Sequence, residues 1–130
     1  MVVKESLSNE MISAGEDLIR RLDQARLSID VALWFYDVET NTWRFMLASP
    51  EVRVHGPKWV YKKVQLVVSR IQGEKSKIPL KDITVVDTQD SLISLFRSAI
   101  KTVDSISGIR FMRGVINGVF IEDAYIYRTR

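Results

Sequence analysis

The sequence predicts a single α+β domain over residues 1–130, in which a mixed, largely antiparallel sheet of about five strands packs with three helices. Three observations support this fold class: helical periodicity in three segments, two pairs of apolar strands separated by turn residues, and a short apolar strand between the last two helices. The predicted order of elements is αββαβαββ. A chain of 130 residues is long enough to bury a core without disulfides or metals.

The first predicted helix begins after Ser8, a residue type that caps helix N-termini, and ends near Arg26. Apolar residues recur along it at three- and four-residue steps, at Met11, Ala14, Leu18, Leu22 and Ala25. Residues 29–37 and 43–49 are rich in β-branched and aromatic side chains, which predicts a hairpin. Pro50 limits the second of these strands.

The second predicted helix opens at Gly56-Pro57, because proline suits the first helical turn. It extends to about Gln72, with Gly73 as terminator. Its core face comprises Val60, Val64, Val67, Val68 and Ile71. A short apolar strand is predicted at 83–86.

The third helix is predicted to begin at Asp87 or Thr88, since either side chain can cap it. Its predicted apolar set is Leu92, Leu95, Phe96, Ala99, Ile100 and Val103. The closing segment 108–129 is a predicted hairpin, because Asn117-Gly118 between two β-prone runs is typical of a two-residue turn with positive φ.

Both faces of the predicted sheet carry apolar side chains. In the first strand, one face holds Val31, Leu33 and Phe35, and the other holds Ala32, Trp34 and Tyr36. Helices could cover both faces, or helices could cover one face and a second copy of the chain the other. We therefore expect a homodimer, while an arrangement with helices on both faces stays open.

Positive charge is concentrated between Arg53 and Lys81, where eight basic residues accompany one acid, Glu74, in a chain whose net charge is only +3. This segregation favours an anionic partner. The candidate binding residues are Lys58, Trp59, Lys62, Lys63, Leu66 and Arg70 in the second helix, with Lys75, Lys77 and Lys81 in the loop that follows.

Four residues of the second helix, Trp59, Lys63, Leu66 and Arg70, form a narrow stripe between its core face and its solvated face. The cations suit contact with phosphates and Trp59 suits stacking or apolar contact, as in nucleic-acid binding, and an acidic protein is the other partner left open. The alternatives are an ordinary solvated lysine face and a Trp59 that packs under a loop or across a dimer interface. The stripe predicts an interaction surface and leaves its partner open.

Motifs for catalysis or metal binding are sparse. The absence of cysteine excludes disulfides, zinc-thiolate sites and a thiol nucleophile. The single histidine, His55, has no second ligand at metal spacing and no triad partners. Asp37 followed by Glu51 and Arg53 is similar to the acid and E-x-K pattern of restriction-endonuclease-like nucleases, with arginine in place of lysine. A divalent-metal-dependent nuclease is therefore an alternative function, but no catalytic residue, metal ligand or cofactor is assigned.

Adjacent carboxylates occur in the last predicted strand at Glu122 and Asp123. Neighbouring residues of a regular strand point to opposite faces. We expect one of the two to be exposed or paired with Arg110 or Arg113 across the hairpin, in a structural role.

Three segments, 32–50 (ALWFYDVETNTWRFMLASP), 56–61 (GPKWVY) and 124–128 (AYIYR), resemble a group of small uncharacterised bacterial proteins. The likeness spans most of the chain. No activity is established for that group, so the resemblance implies a bacterial cytoplasmic protein and transfers no functional residue. The chain also lacks a signal-like apolar run and a membrane-length apolar segment. The predicted function is a non-catalytic binding module, without membrane contact, that uses the basic helix-plus-loop surface of residues 53–81.

Overall fold

A computed structural model describes residues 3–73, 76–103 and 105–130. It confirms the α+β class and the five-stranded mixed sheet, and it adds one short helix to the predicted order, which becomes αββααβαββ. The elements are α1 (Asn9–Gln24), β1 (Val31–Asp37), β2 (Thr42–Ala48), α2 (Glu51–His55), α3 (Pro57–Ser69), β3 (Ile83–Val86), α4 (Ser91–Ala99), β4 (Ile109–Ile116) and β5 (Val119–Thr129).

The strands lie in the order β3-β2-β1-β5-β4, so β1 is central and β3 and β4 form the edges. β2 and β3 are parallel, whereas the other three pairs are antiparallel. Trp34 in β1 is the cross-strand partner of Phe45 on one side and of Tyr125 on the other. The last strand therefore pairs with the first, which joins the two ends of the chain in one sheet.

Helices cover both faces of this sheet. On the first face, α1 and α3 pack over Ala32, Trp34, Phe45 and Tyr127. On the second face, α4 contributes Ile93 and Phe96 to a cluster that includes Val31, Leu33, Met46 and Ile126. The arrangement with helices on both faces is thus the one adopted. The sheet needs no second copy as a cover, and the homodimer stays a prediction.

Close packing of α1 on the sheet depends on Gly15. Ser8 caps the helix as predicted, since its Oγ accepts from the backbone N–H of Met11 at 3.1 Å. A Cβ at Gly15 would lie 2.8 Å from Tyr127 Cζ and 2.9 Å from Phe45 Cε1. The missing side chain therefore lets the helix approach the two aromatic rings directly. Among the helices that the structure describes, none is both long and apolar enough to span a bilayer.

The connection between β2 and α3 differs from the prediction. Residues after Pro50, to which the sequence assigned no element, form the short helix α2, and Ser49 Oγ accepts from the Glu51 N–H at 3.1 Å at its start. Gly56, with φ of 89°, separates α2 from α3. α3 ends at Ser69, three residues before the predicted Gln72, and Gly73 follows in the left-handed region.

The predicted bounds of α4 are also wrong at both ends. Asp90, and not Asp87 or Thr88, caps the helix by accepting from the N–H groups of Leu92 and Ile93. The helix stops at Ala99, because Ile100 turns extended and Thr102 hydrogen-bonds with the backbone of Thr129. Ile93 joins Phe96 in the core, whereas Val103 is 70% exposed.

The β4–β5 hairpin turns at Asn117 and Gly118, whose φ values of 47° and 80° confirm the predicted turn. Strict alternation fails within the hairpin, because Ile121 and Ala124, three residues apart, share the second-face core. The interruption lies opposite Arg113, which has a φ of 47°. It places Glu122 and Asp123 together rather than on opposite faces, since Lys4 Nζ lies 3.9 Å from Glu122 Oε1 and 2.5 Å from Asp123 Oδ2.

Candidate binding groove between α1 and α3

The stripe predicted on the second helix lines a groove in the structure. Trp59, Lys63, Leu66 and Arg70 face the C-terminal end of α1 across a cavity of about 280 Å³. We call this cavity the α1–α3 groove; its remaining walls are Leu22, Ala25, Arg26, Leu27, Glu51 and Val67. The structure therefore brings four of the nine candidate residues to one site.

The groove exists because α3 buries a different face. Val60, Val64, Val67 and Val68 anchor the helix against the sheet, as its periodicity predicts. The stripe lies beside the valine face that packs on the sheet, and Leu66 in it remains 54% exposed. An exposed leucine beside a cavity is apolar surface that a ligand could remove from water.

Trp59 lies between two neighbours of its own segment. His55 stacks on the indole with ring centroids 4.0 Å apart and planes inclined by 27°. The ammonium group of Lys63, one turn further along α3, lies 5.1 Å from the indole centroid. The ring also packs partly against the core. These contacts occupy surface that a nucleobase would need for stacking.

The opposite wall of the groove ends in a left-handed residue, Arg26, with a φ of 61°. Its N–H donates to Asp23 O at 3.0 Å, and the Leu27 N–H donates to Leu22 O at 3.1 Å. These two bonds form a Schellman motif, in which the left-handed position is usually glycine. Arginine is costly there because its Cβ crowds the backbone.

An ion pair between a buried arginine and a more exposed aspartate fixes this end of α1. Arg128 in β5 is 3% exposed and donates to both carboxylate oxygens of Asp23, at 2.9 and 2.7 Å. It also donates to the carbonyl of Ile29 at 3.3 Å. The C-terminal end of α1, which carries Arg26, is therefore attached to the sheet through β5.

Among the described residues, Glu51 supplies the one carboxylate of the groove. Its Oε2 accepts from the Ser28 N–H at 2.9 Å, which joins the start of α2 to the chain after α1. Asp37 lies at the other end of β1, roughly 20 Å away for seven strand residues at about 3.3 Å each. The acid and E-x-K residues of the nuclease alternative are thus not brought together.

The cations of the groove differ in their pairing from eight other cations of the chain. Elsewhere, Lys4, Arg20, Arg21, Arg53, Arg110, Arg113, Arg128 and Arg130 form ion pairs within the chain. Arg53, for example, donates to Asp87 and lowers the pKa of that carboxyl group. Among the residues that the structure describes, no such pair holds Arg26, Lys63 or Arg70. Their charge is available to a ligand.

The remaining candidate residues lie outside the groove. Lys58 and Lys62 are exposed on the outer face of α3. Lys77 lines a separate cavity beside the start of α1. Lys81 lies in a turn that Tyr61 holds by donating to the Leu80 and Ile83 carbonyls. Lys75 falls outside the described residues.

Sequence reasoning missed Arg26 and the apolar wall from α1, and it considered Glu51 only for the nuclease alternative. Arg26 stands where a helix-ending glycine would be expected, but the sequence has no signal that places it opposite Lys63. A larger cavity, about 620 Å³, runs along most of α1, where Glu16 pairs with Arg20 and Asp17 with Arg21. Both arginines of this cavity are therefore already paired.

Within residues 3–73, 76–103 and 105–130, no group of three or more His, Cys, Asp or Glu side chains could hold a metal ion. The likeness of residues 32–50 to small bacterial proteins stays a prediction. Comparisons of the chain with protein-family models, with curated proteins and with solved structures gave no match.

Proposed function

We propose that this protein is a non-catalytic interaction module that binds an acidic protein partner through the basic surface of α3. The observation that carries the proposal is the clustering of three cations around one groove. Lys63, Arg70 and Arg26 line it without carboxylate partners among the described residues, whereas eight cations elsewhere, seven of them arginines, have carboxylates of the same chain.

Lys58 and Lys62 extend this positive surface along the outer face of α3. A field from several unpaired cations attracts an anionic partner before contact and is weakened by salt. Two copies of the chain can associate through the β4 edge of the sheet, which lies away from α3. The homodimer predicted from the sequence is therefore compatible with this role.

The proposal is tested by the anisotropy of fluorescein-labelled polyglutamate, titrated with the full chain at low and at physiological salt. Binding should weaken as salt rises. The double variant Lys63→Glu with Arg70→Glu should lose at least tenfold in affinity. Lys101→Glu, which changes an exposed lysine after α4, is the matched control and should bind nearly as the parent does.

Equal losses in the double variant and in a second control that combines Lys101→Glu with Arg113→Glu would show that only net charge matters, and would overturn the proposal. The nucleic-acid alternative is tested beside it with a labelled single-stranded oligothymidylate. Tighter binding of this oligonucleotide than of polyglutamate would favour nucleic acid as the partner.

A further inference from the structure

We infer that the α1–α3 groove takes an acidic peptide segment that inserts one large apolar side chain beside Leu66, with its carboxylates held by Arg26, Lys63 and Arg70. This inference rests on the proposed function and narrows the acidic partner to a mixed acidic and apolar sequence. The positive charge attracts acidic segments in general, and the groove selects among them those with an apolar side chain.

The size and lining of the groove suit one side chain. Its volume of about 280 Å³ lies just below the usual ~300–1,000 Å³ of small-molecule sites. Leu22, Leu27 and Val67 provide buried apolar walls, and Leu66 provides exposed apolar surface. An inserted leucine would remove apolar area on both sides of the contact from water.

The charges at the rim suit the flanking residues of such a peptide. The described residues that line the groove include three cations and one carboxylate, a net charge of +2. Arginine can hold a carboxylate through two parallel hydrogen bonds, so Arg26 and Arg70 can orient the peptide as well as attract it. Lys63, beside Trp59, contributes a third cation to the lining.

Two contacts favour a peptide over a nucleic acid. Trp59 is already stacked on His55 and lies beside the ammonium group of Lys63, so its ring is a poor platform for a base. An extended peptide also has backbone N–H donors, which the phosphodiester backbone of a nucleic acid lacks, and Glu51 is an acceptor for them. The same carboxylate already accepts a backbone N–H from Ser28 and can accept another from an extended peptide.

The conformation of Arg26 is an independent reason to assign it a role. Left-handed backbone favours glycine, and the Schellman motif at the end of α1 would form more easily with glycine at this position. The arginine side chain lines the groove in spite of this cost. Strained residues of this kind are enriched at binding sites.

The experiment uses the full chain labelled with ¹⁵N and titrated by NMR with two peptides. One has leucine flanked on each side by three glutamates, and the other has serine in place of the leucine. The signal to follow is the indole N–H of Trp59 at the groove. The indole N–H groups of Trp34 and Trp43 donate to Met11 O and Glu5 O and serve as internal references.

We expect the leucine peptide to bind about tenfold more tightly than the serine peptide. Leu66→Ala should reduce this ratio to about twofold, and Arg26→Gly should weaken both peptides about fivefold. Arg26→Lys, which keeps the charge, should retain most of the affinity. Both positions are exposed, so these variants should fold as the parent does.

Equal affinity for the two peptides, with salt-dependent binding, would overturn the inference and leave the proposed function standing. The absence of binding by either peptide at low salt would overturn both. An oligothymidylate that binds more tightly than the leucine peptide and shifts the Trp59 indole signal would overturn the inference in favour of nucleic acid.

Discussion

Arg110 holds the buried carboxylate of Asp123 through two hydrogen bonds, from Nε to Oδ1 at 2.6 Å and from NH2 to Oδ2 at 2.7 Å. Lys4 donates to the same carboxylate at 2.5 Å. The Asp123 side chain is fully buried, whereas both cations reach solvent. This cluster ties the chain before α1 to the β4–β5 hairpin, and it confirms the predicted pairing of an acid in β5 with Arg110.

The first prediction is that Asp123→Asn lowers the free energy of unfolding by about 1–3 kcal/mol at pH 7, because the three hydrogen bonds from Arg110 and Lys4 lose their charged acceptor while the cations can still be hydrated. Urea unfolding measures this change. Glu122→Gln is the matched control, since Glu122 makes only longer ion pairs, of 3.6 and 3.9 Å, and should cost less than 1 kcal/mol. Equal costs in the two variants would contradict the assignment.

The Asp123 carboxylate also makes the stability of the protein depend on pH. Burial by itself raises the pKa of Asp123, but hydrogen bonds from Arg110 and Lys4 outweigh it, and the folded pKa lies below the ordinary value. Asp123 therefore contributes stability that is complete above its unfolded pKa of about 3.9 and is lost as the pH falls through its folded pKa. The stability difference between parent and Asp123→Asn should shrink below about pH 4. A stability difference that grows in acid would mean that folding raises the pKa of Asp123, and would contradict the prediction.

The second prediction separates stability from binding at Arg26. Arg26→Gly should raise the free energy of unfolding by about 1 kcal/mol, because glycine adopts the left-handed conformation without crowding, although it adds freedom to the unfolded chain. Arg26→Lys should leave stability nearly unchanged. Thermal unfolding measures both variants. A lower melting temperature in Arg26→Gly would mean that the arginine side chain stabilises the fold. Its left-handed conformation would then carry no net cost in stability.

The third prediction concerns Gly15 in α1. Alanine is the better helix former by about 1 kcal/mol, yet its Cβ would meet the rings of Tyr127 and Phe45. We expect Gly15→Ala to destabilise the protein by about 1–3 kcal/mol, because the helix must shift from the sheet. Ser13→Ala, at an exposed position of the same helix, should change stability by less than about 0.5 kcal/mol. Chemical unfolding of both variants decides whether packing or helix propensity dominates.

The fourth prediction concerns the homodimer. β4 is an edge of the sheet, and Val115 and Phe120 are cross-strand partners that remain exposed, Phe120 by 57%. An unpaired edge with apolar neighbours favours association of two copies across a two-fold axis. We expect light scattering to give twice the 15.0 kDa of one chain, and Phe120→Asp to restore one chain. A parent that stays monomeric at high concentration would contradict the prediction.

Local sequence patterns predicted the elements whose residues interact mainly with near neighbours. Ser8 caps α1, Asn117-Gly118 turns the last hairpin, and the strand at 83–86 has its predicted bounds. In each case a side chain or a required φ acts within a few residues. Alternation also predicted that both faces of β1 would be apolar.

The errors occur where distant contacts override local preference. Apolar periodicity continues through Ile100 to Val103, but α4 ends at Ala99 because Thr102 bonds to Thr129, 27 residues away. Similarly, Glu122 and Asp123 lie together because the hairpin is interrupted opposite Arg113. Neither contact follows from a pattern within one segment.

The sequence by itself determined the α+β class, the basic character of residues 53–81 and the stripe of Trp59, Lys63, Leu66 and Arg70, because composition and helical spacing are properties of one segment. Only the tertiary structure decided that the helices cover both faces of the sheet and that the stripe faces Arg26 and Glu51 across a groove. A groove is formed by residues from separate segments, and their juxtaposition depends on how α1 and α3 pack on a common sheet.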